Sequence, residues 1–410
     1  MAEEPVRLAI VGLGVMGRDH LKNALTLQAE GALRLVGLAD AEADRARRPG
    51  EEHGLPAFAD FEALLEETRP EAVVVATPHP SHEAVTVAAA ARGVHVLCEK
   101  PIAHTVAAAD RMIAACRAAG VLLGIDFNQR TTPAYIRAHE LLAGGELGDL
   151  YRVSFVASGW YRTQSYYDSG GWRGTWDGEG GGVIMNQAPH HLDLYCWLAG
   201  PPQRVKATAL TRTHEIDVEN TVAALLEHGP LRPAGSTPSP QPAARVDTFY
   251  TTTAEWPGRT EFLFAGERGR LIVAERRLRH YRMERTLAEE LRTAPHGSKP
   301  AGEWLDIEVD AAPPGQSGHI ALLRRFAAAV RSGREEDLVA GGEDGRNALE
   351  LGNAMLMAAF RDRSVDLPID RAAYDALLEE LKGRAGPGTE RKRRRAGQAE
   401  AVLAALPEGT

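Results

Sequence analysis

The stretch RLAIVGLGVMGRDHLKNALTLQAEGALRLVGLAD, residues 7–40, decides the fold of this chain. The apolar run 8–11 predicts a buried strand, the glycine-rich loop 12–17 predicts a turn, and the residues that follow have the length of a helix. A second apolar run, 33–39, ends on the carboxylate of Asp40. The stretch therefore predicts one strand, turn, helix and strand unit with an acidic end.

The glycines of the turn have the spacing of a dinucleotide-binding loop. Gly12 permits the tight turn, Gly14 lets the backbone approach a pyrophosphate, and Gly17 lets the helix pack closely on the sheet. The amides at a helix N-terminus attract phosphate, so Val15 and Met16 are predicted to contact the cofactor together with the glycines. A purely structural glycine turn is the alternative, because chance matches are common in a chain with 41 glycines.

Asp40 supports the dinucleotide prediction, because it lies about twenty residues beyond the loop, where a carboxylate binds ribose hydroxyls. A 2′-phosphate beside this carboxylate would be repelled, so Asp40 predicts NAD rather than NADP. Three nearby arginines, Arg45, Arg47 and Arg48, leave NADP open.

The length of 410 residues predicts two domains and a tail. We expect a dinucleotide-binding domain over 1–128, a substrate-binding and oligomerisation domain over 129–382, and a flexible tail over 383–410 that contains the run RKRRR. The net charge of -9 argues against a nucleic-acid partner, since phosphate backbones attract basic surfaces.

Localisation and metal content follow from what the sequence lacks. It has no signal-peptide pattern and no apolar segment long enough to span a bilayer, which predicts a cytoplasmic protein without a membrane partner. Cys98, Cys116 and Cys196 are widely spaced and form no CxxC motif, so we expect reduced buried thiols and no metal site.

Strands alternate with helices over the first 128 residues, which predicts a doubly wound parallel sheet. Ligands of such sheets bind at the carboxyl ends of the strands. This rule selects the loop TPHPSH, residues 77–82, and the sequence Glu99-Lys100-Pro101, whose Lys-Pro bond can be cis. A solvated lysine is the alternative there. The cofactor contacts predicted in these two loops are Thr77, Pro78, His79, His82, Glu99 and Lys100.

Alternating apolar runs between residues 150 and 274 follow one another without intervening helices, which predicts a second domain with an open, mainly antiparallel sheet. The proline-rich segment 229–244 interrupts two of these strands and is predicted to be an enlarged hairpin loop.

Six aromatic residues crowd into residues 160–176 of a chain that is only 6% aromatic: Trp160, Tyr161, Tyr166, Tyr167, Trp172 and Trp176. With Arg162 and Arg173 they can line a polyol site, since rings contact C–H faces and charged groups bind hydroxyls. They can equally cap the sheet or fill a subunit contact, and the sequence leaves both open.

A helix is predicted to begin near Val183. Asn186, His190 and Asp193 have the i, i+4 and i+7 spacing of one helix face, which predicts an imidazole flanked by two polar oxygens that fix its tautomer. A general acid or base needs this arrangement. His191 points away from that face and is predicted to pack or to be solvated.

Together these motifs resemble the Gfo/Idh/MocA oxidoreductases, from GLGVMGRDH through TPHPSH and CEKP to GGGVIMNQAPHHLD. The resemblance covers nearly the whole chain and implies a Rossmann domain, an open sheet domain and a nicotinamide cofactor. It also implies a sugar, sugar phosphate or cyclitol substrate and a homodimer or homotetramer. Lys100 would lie beside substrate and nicotinamide, and His190 would be the acid/base residue.

The chain departs from this pattern at Asn186, where inositol dehydrogenase-like members carry an aspartate. An asparagine orients the imidazole but supplies no charge. The hypothesis is an NAD(P)-dependent oxidoreductase that transfers a hydride to or from a secondary hydroxyl of a sugar, glycoside or cyclitol. The alternatives are an NAD-dependent glycosidase and a dinucleotide-binding regulator. Predicted catalytic residues are Lys100, His190 and Asn186, and predicted substrate contacts are these three with Trp160, Arg162, Trp172 and Arg173.

Overall fold

A computed structural model describes residues 4–229, 244–274, 277–384, 386–392 and 394. Its strands are β1 (Val6–Val11), β2 (Leu33–Ala39), β3 (Ala57–Phe58), β4 (Ala72–Val75), β5 (His95–Cys98), β6 (Leu123–Ile125), β7 (Leu150–Ala157), β8 (Arg204–Leu210), β9 (Thr221–His228), β10 (Arg245–Thr252), β11 (Thr260–Gly266), β12 (Gly269–Ala274), β13 (Arg277–Met283), β14 (Gly302–Ile307) and β15 (Val365–Asp366).

Fourteen α-helices connect and cover these strands in the described part of the chain: α1 (Val15–Ala29), α2 (Ala43–His53), α3 (Phe61–Thr68), α4 (His82–Ala91), α5 (Val106–Ala119), α6 (Pro133–Ala143), α7 (Gln164–Asp168), α8 (Trp176–Glu179), α9 (Val183–Asn186), α10 (Pro189–Ala199), α11 (Leu287–Thr293), α12 (Gly318–Ser332), α13 (Gly342–Arg361) and α14 (Arg371–Lys382).

The first sheet is parallel and has the order β3-β2-β1-β4-β5-β6. Its strands are mostly apolar, as burial on both faces requires: alternate residues of β1, such as Leu8 and Ala9, belong to separate hydrophobic clusters on the two sides. The predicted doubly wound sheet is confirmed, with the short β3 as a sixth strand that the sequence did not indicate.

Helix α12 follows the second sheet in the chain, yet it packs on the first sheet beside α1. Its residues Leu322, Leu323 and Phe326 share a hydrophobic cluster with Leu8 and Ile10 of β1. One face of the first sheet is therefore completed by a helix that lies well beyond the predicted domain boundary at residue 128.

The turn after β1 depends on close backbone packing. Gly12 has φ +93°, a conformation that L side chains rarely adopt, and its N–H donates to the Ala39 carbonyl at 2.8 Å. A Cβ on Gly17 would lie 1.8 Å from the Gly12 carbonyl oxygen, whereas a Cβ on Gly14 would have no atom within 4 Å. Gly17 thus lets α1 approach the turn, and Gly14 leaves open space in front of it.

The second sheet has nine strands in the order β14-β13-β12-β11-β7-β10-β9-β8-β15. All neighbouring pairs are antiparallel except β7 and β10, which confirms the predicted mainly antiparallel sheet. The pair β9 and β10 forms a hairpin in which His228 faces Arg245. The predicted insert joins these two strands, and its residues 230–243 lie outside the described part of the chain.

Helices cover one face of this sheet, where Phe155, Phe249, Phe262 and Tyr195 form an aromatic core. None of the helices in the described residues is long and apolar enough to cross a membrane. The three cysteines are free, and Cys98 and Cys116 are buried, while Cys196 is half-buried.

We predict that Gly17→Ala lowers the free energy of unfolding by about 3 kcal/mol or more, because its Cβ would collide with backbone that cannot move aside. Chemical denaturation followed by circular dichroism measures the effect. Gly14→Ala is the matched control in the same loop and should unfold within about 1 kcal/mol of the parent chain. Equal stability of both variants would contradict the packing argument.

Candidate functional site

One cleft of about 1400 Å³ runs from the glycine turn to the aromatic residues of the second domain. It exceeds the roughly 300–1,000 Å³ of a site for one small molecule, so it has room for a cofactor and a substrate. It is lined by the predicted cofactor contacts Gly12, Gly14, Val15, Met16, Asp40, Thr77, Pro78, His79, His82, Glu99 and Lys100. Its lining also includes the predicted substrate contacts Trp160, Arg162, Trp172, Arg173, Asn186 and His190.

The dinucleotide end of the cleft is built around the glycine turn. Asp40 accepts hydrogen bonds from the backbone N–H of Leu13 at 2.7 Å and of Glu42 at 2.9 Å, which holds its carboxylate beside the loop. No side chain caps α1, so its first amides stay available to a ligand. We call the glycine turn 12–17, the start of α1 and Asp40 the dinucleotide cradle. With the open space in front of Gly14, this cradle fits a dinucleotide pyrophosphate and ribose. Gly17 packs behind it.

Two histidines of the second loop serve mainly to hold the walls of the cleft. The ring nitrogens of His82 contact the carbonyl oxygens of Thr77 and Pro101 at 2.9 and 3.0 Å, so this side chain joins two loops. The Nδ1 atom of His79 contacts the Glu179 carbonyl oxygen at 3.3 Å. Burial lowers the pKa of both imidazoles.

Lys100 links the two halves of the site. It follows β5, and its peptide bond to Pro101 is cis. The Lys100 backbone N–H donates to the Glu99 carboxylate at 3.2 Å, and Nζ donates to the Asn186 carbonyl oxygen at 3.0 Å. The ammonium group is therefore held at the cleft by backbone oxygen from the second domain and keeps further N–H donors for a substrate.

His190 also lines the cleft and is buried, with its edge against Phe127. Its Nδ1 atom has no hydrogen-bond partner among the described residues. Burial, reinforced by the nearby charge of Lys100, places the pKa of His190 well below its ordinary value. The imidazole is therefore neutral near pH 7 and can accept a proton from a bound hydroxyl group.

The predicted continuous helix through Asn186, His190 and Asp193 is wrong. Helix α9 ends at Asn186 and α10 begins at Pro189, because proline lacks the N–H that a continuing helix needs and is favoured at a helix start. Asp193 instead accepts two hydrogen bonds from buried Arg130, at 2.6 and 2.9 Å. It therefore does not fix the tautomer of His190. His191 packs against Phe262, as predicted.

Glu179 is a residue of the site that sequence reasoning missed. Its buried carboxylate accepts a hydrogen bond from the Asn186 side-chain amide and another from the Gly174 N–H at 2.7 Å. Burial raises the pKa of Glu179 to about 7, although both hydrogen bonds oppose the rise. The carboxyl group that Asn186 lacks thus lies one side chain farther from the cleft. Its position beside a glycine run is a weak sequence signal.

Glu219, on the segment before β9, holds the same region from the other side. Its carboxylate accepts hydrogen bonds from the N–H groups of Gly182 at 2.9 Å and Ile184 at 3.0 Å. A Cβ on Gly182 would lie 1.7 Å from the Glu219 carbonyl oxygen, so the glycine run is required for this contact. Burial raises the pKa of Glu219 to about 7. The hydrogen bonds from Gly182 and Ile184 to Glu219 thus fix the start of α9.

A buried cluster of two histidines and two carboxylates lies behind Lys100. His20 contacts Glu99 at 2.9 Å and Asp126 at 3.4 Å, and His319 of α12 contacts Asp126 at 2.9 Å. These side chains are of metal-binding types and their ligand atoms lie within 4.8 Å of one another. However, the 2.9 Å contacts have the length of charge-assisted hydrogen bonds. The cluster joins α1, the ends of β5 and β6, and α12.

The aromatic loop, defined as residues 160–180, has some side chains that line the cleft and others that pack against the second domain. Tyr166 lies between the guanidinium groups of Arg162 and Arg173, at 4.7 and 5.0 Å from its ring centre, and all three line the cleft. By contrast, buried Tyr167 donates or accepts a hydrogen bond at Thr253, and Trp176 is also buried. Trp160 and Trp172 line the cleft as well, while Tyr161 is exposed near Trp256.

Comparison with known families agrees with this geometry. Residues 6–127 match the model of the "Oxidoreductase family, NAD-binding Rossmann fold", and residues 135–272 match the "GFO/IDH/MocA C-terminal domain". The chain belongs to the Gfo/Idh/MocA family of oxidoreductases. It is therefore an NAD-binding oxidoreductase.

The relatives of this chain align with it over different lengths. D-apiose dehydrogenase from Paraburkholderia graminis is 28% identical over 380 residues, which is 92% of this chain and 93% of that protein. Inositol 2-dehydrogenase 1 from Saccharopolyspora erythraea is 39% identical over 154 residues, 37% of this chain and 45% of that protein. The WlbA dehydrogenase from Bordetella pertussis, solved with NADH and UDP-GlcNAcA, is 25% identical with a TM-score of 0.71, over 89% of this chain and all of that one.

The cluster behind Lys100 predicts a pH dependence of stability. Burial lowers the pKa of His319, but Asp126 outweighs this effect and raises it to about 9. A histidine with a raised folded-state pKa stabilises fully below its unfolded value of about 6.5 and loses this contribution as the pH rises through 9. We expect His319→Gln to flatten the stability curve of this Gfo/Idh/MocA protein between these values by roughly 2 kcal/mol.

Denaturant titrations at several pH values measure this difference. His296→Gln, at an exposed position between α11 and β14, is the control and should leave the pH dependence unchanged. Parallel pH curves for the parent chain and His319→Gln would show that the cluster does not hold α12 by charge.

Proposed function

We propose that this oxidoreductase transfers a hydride between NAD and a secondary hydroxyl of a sugar, glycoside or cyclitol. The observation that carries the proposal is that Lys100 and His190 line the same cleft as the dinucleotide cradle. Its other lining, with Tyr166 between two arginines, suits a polyol because rings contact C–H faces and guanidinium groups bind hydroxyls. The family relatives that act on sugars and cyclitols support the same substrate class.

The chain's own residues supply the proton chemistry and the positioning. Bound NAD would provide the acceptor for the hydride. His190, neutral because of burial, takes the proton of the reacting hydroxyl group. Lys100, held by the Asn186 carbonyl, donates a hydrogen bond to the hydroxyl oxygen and stabilises its developing negative charge. Asn186 is fixed in turn by Glu179, so it positions the ammonium group rather than exchanging a proton itself.

The cofactor preference follows from Asp40. Two backbone N–H groups hold its carboxylate at the edge of the cradle. There it can accept a hydrogen bond from a ribose 2′-hydroxyl, whereas it would repel a 2′-phosphate. Arg45 also lines the cleft, but it forms an ion pair with Glu42 at 2.8 Å. We therefore propose NAD as the preferred cofactor over NADP.

A substrate panel tests the function. Purified protein with NAD is offered monosaccharides, glycosides and inositols, and NADH formation is followed at each; the same assay with NADP checks the cofactor. We expect Lys100→Ala and His190→Ala each to lower kcat by about 100-fold or more, because both act directly on the reacting hydroxyl. His296→Ala, exposed and distant in sequence, is the control.

The same assay separates the alternatives. Glycoside cleavage without net NADH would indicate an NAD-dependent glycosidase, in which oxidation of the sugar is transient. Binding of NADH without turnover of any panel member would favour a dinucleotide-binding regulator. Full turnover by both active-site variants would refute the assignment of the catalytic residues.

We further propose that the uncovered face of the second sheet joins subunits in a homodimer or homotetramer. Leu210, Leu225 and Val246 on neighbouring strands β8, β9 and β10 are 43%, 45% and 38% exposed, and exposed apolar side chains grouped on a sheet face are typical of an interface. The enzyme is proposed to be cytoplasmic, since its three free cysteines suit a reducing compartment.

Leu225→Glu tests the interface. Association would strip water from the added carboxylate, which opposes it, so we expect the variant to sediment as a monomer while the parent chain sediments as an oligomer. Val87→Glu, at an exposed apolar position on α4, is the control and should not change the assembly. An oligomer that survives Leu225→Glu would place the interface elsewhere.

A further inference from the structure

The C-terminal brace, defined as residues 386–392, lies against the aromatic loop. The sequence predicted a solvated tail from residue 383, but this part of it is packed, and its residues 387–392 are helical. Three separate sets of contacts connect the brace to the loop, and each involves a different residue of the brace.

The first contact is a forked ion pair. Arg391 donates from Nε and Nη2 to the two carboxylate oxygens of Asp168, both at 2.9 Å, and its Nη1 pairs with Glu215. Asp168 ends α7 within the aromatic loop, and its side chain is largely buried. A two-pronged guanidinium contact fixes orientation as well as distance, which a single ion pair does not.

The second contact is made by Lys392. Its Nζ donates to the carbonyl oxygens of Gly170, at 3.1 Å, and of Arg173. Both residues line the cleft, with Gly171 and Trp172 between them. The ammonium group therefore holds the backbone at both ends of the segment 170–173.

The third contact passes through Asp217. Its carboxylate accepts hydrogen bonds from the N–H groups of Gly388 at 2.8 Å and Thr389 at 3.0 Å. Its own N–H donates to the Gly174 carbonyl at 2.9 Å, and its carbonyl accepts from the Trp176 indole at 2.9 Å. A Cβ on Gly388 would lie 2.9 Å from the Gly174 oxygen, so the brace fits the loop closely.

These contacts lie behind the residues that face the substrate end of the cleft. A loop loses conformational entropy when a ligand orders it, and contacts that order it beforehand remove that cost from binding. Arg173, which contacts Tyr166 and Trp172 on the cleft side, is held from behind through its carbonyl.

We propose that the C-terminal brace preorders the aromatic loop, and that Arg391 and Lys392 are positioning residues for the substrate end of the cleft. The proposal rests on the proposed function only for its effect on substrate. The brace contacts no part of the dinucleotide cradle among the contacts described above, so cofactor binding should not depend on it.

Two variants test the brace: a chain that ends at residue 385, and Arg391→Gln in the full chain. Hydrogen–deuterium exchange of peptides covering 164–174 reports on the order of the loop without any substrate. We expect exchange there to rise by about tenfold in the shortened chain and by about fivefold in Arg391→Gln. NADH titration, followed by fluorescence, should give the parent dissociation constant for both.

Kinetics give the second measurement, with D-apiose and myo-inositol as the probes. We expect Arg391→Gln to raise KM by about fivefold with little change in kcat, since a loosened loop weakens binding and leaves Lys100 and His190 in place. Arg394→Gln, at an exposed position two residues beyond the brace, is the matched control. Exchanging the charges in Asp168→Arg with Arg391→Asp should restore part of the parent behaviour.

Two outcomes would overturn the proposal. Unchanged exchange over 164–174 in both variants would show that the brace does not order the loop. A rise of KM for the probe matched by an equal rise of the NADH dissociation constant would indicate general destabilisation. If the shortened chain does not fold, Arg391→Gln and the charge exchange decide. If no probe is turned over, the proposed function fails, but exchange and NADH titration still decide the role of the brace.

Discussion

The site depends on one hydrogen bond between the two domains, in which Lys100 Nζ donates to the Asn186 carbonyl oxygen at 3.0 Å. Each end of this bond is anchored separately. On one side, Glu99 binds the Lys100 N–H and is itself held by buried His20. On the other side, Glu219 fixes the start of α9, which ends at Asn186. The ammonium group is thereby placed between cofactor cradle and substrate residues.

The asparagine at position 186 changes the electrostatics of the site without removing its carboxylate. Glu179, held by Asn186 and by the Gly174 N–H, lies behind the asparagine and away from water. A carboxylate there is costly to ionise, since burial raises its pKa to about 7. In the proposed mechanism, His190 acts as an imidazole kept neutral by burial, and Lys100 supplies the only positive charge among the residues to which a catalytic role is assigned.

Much of the cleft is completed by segments that lie far apart in the chain. Helix α12 returns from beyond the second sheet to cover β1, and its His319 joins the cluster behind Lys100. The C-terminal brace reaches the aromatic loop, where Arg391 pairs with Asp168, 223 positions earlier in the chain. Helix α12 thereby joins the second domain to the first sheet, and the brace joins the C-terminal segment to the substrate end of the cleft.

The sequence by itself determined the nucleotide half of this protein. Strand and helix periodicity, the glycine spacing and the position of Asp40 are local properties of the backbone, so they identified the parallel sheet, the cradle and the loop that carries Lys100. Pro189 is also a local signal, and it marks the helix break that the spacing of Asn186 and His190 conceals. Only the tertiary structure decided the partners of the buried charges: Arg130 for Asp193, which lies 63 residues away, and Glu179 for Asn186. A buried polar group binds whatever the packing of distant segments brings to it, and no local pattern encodes that choice.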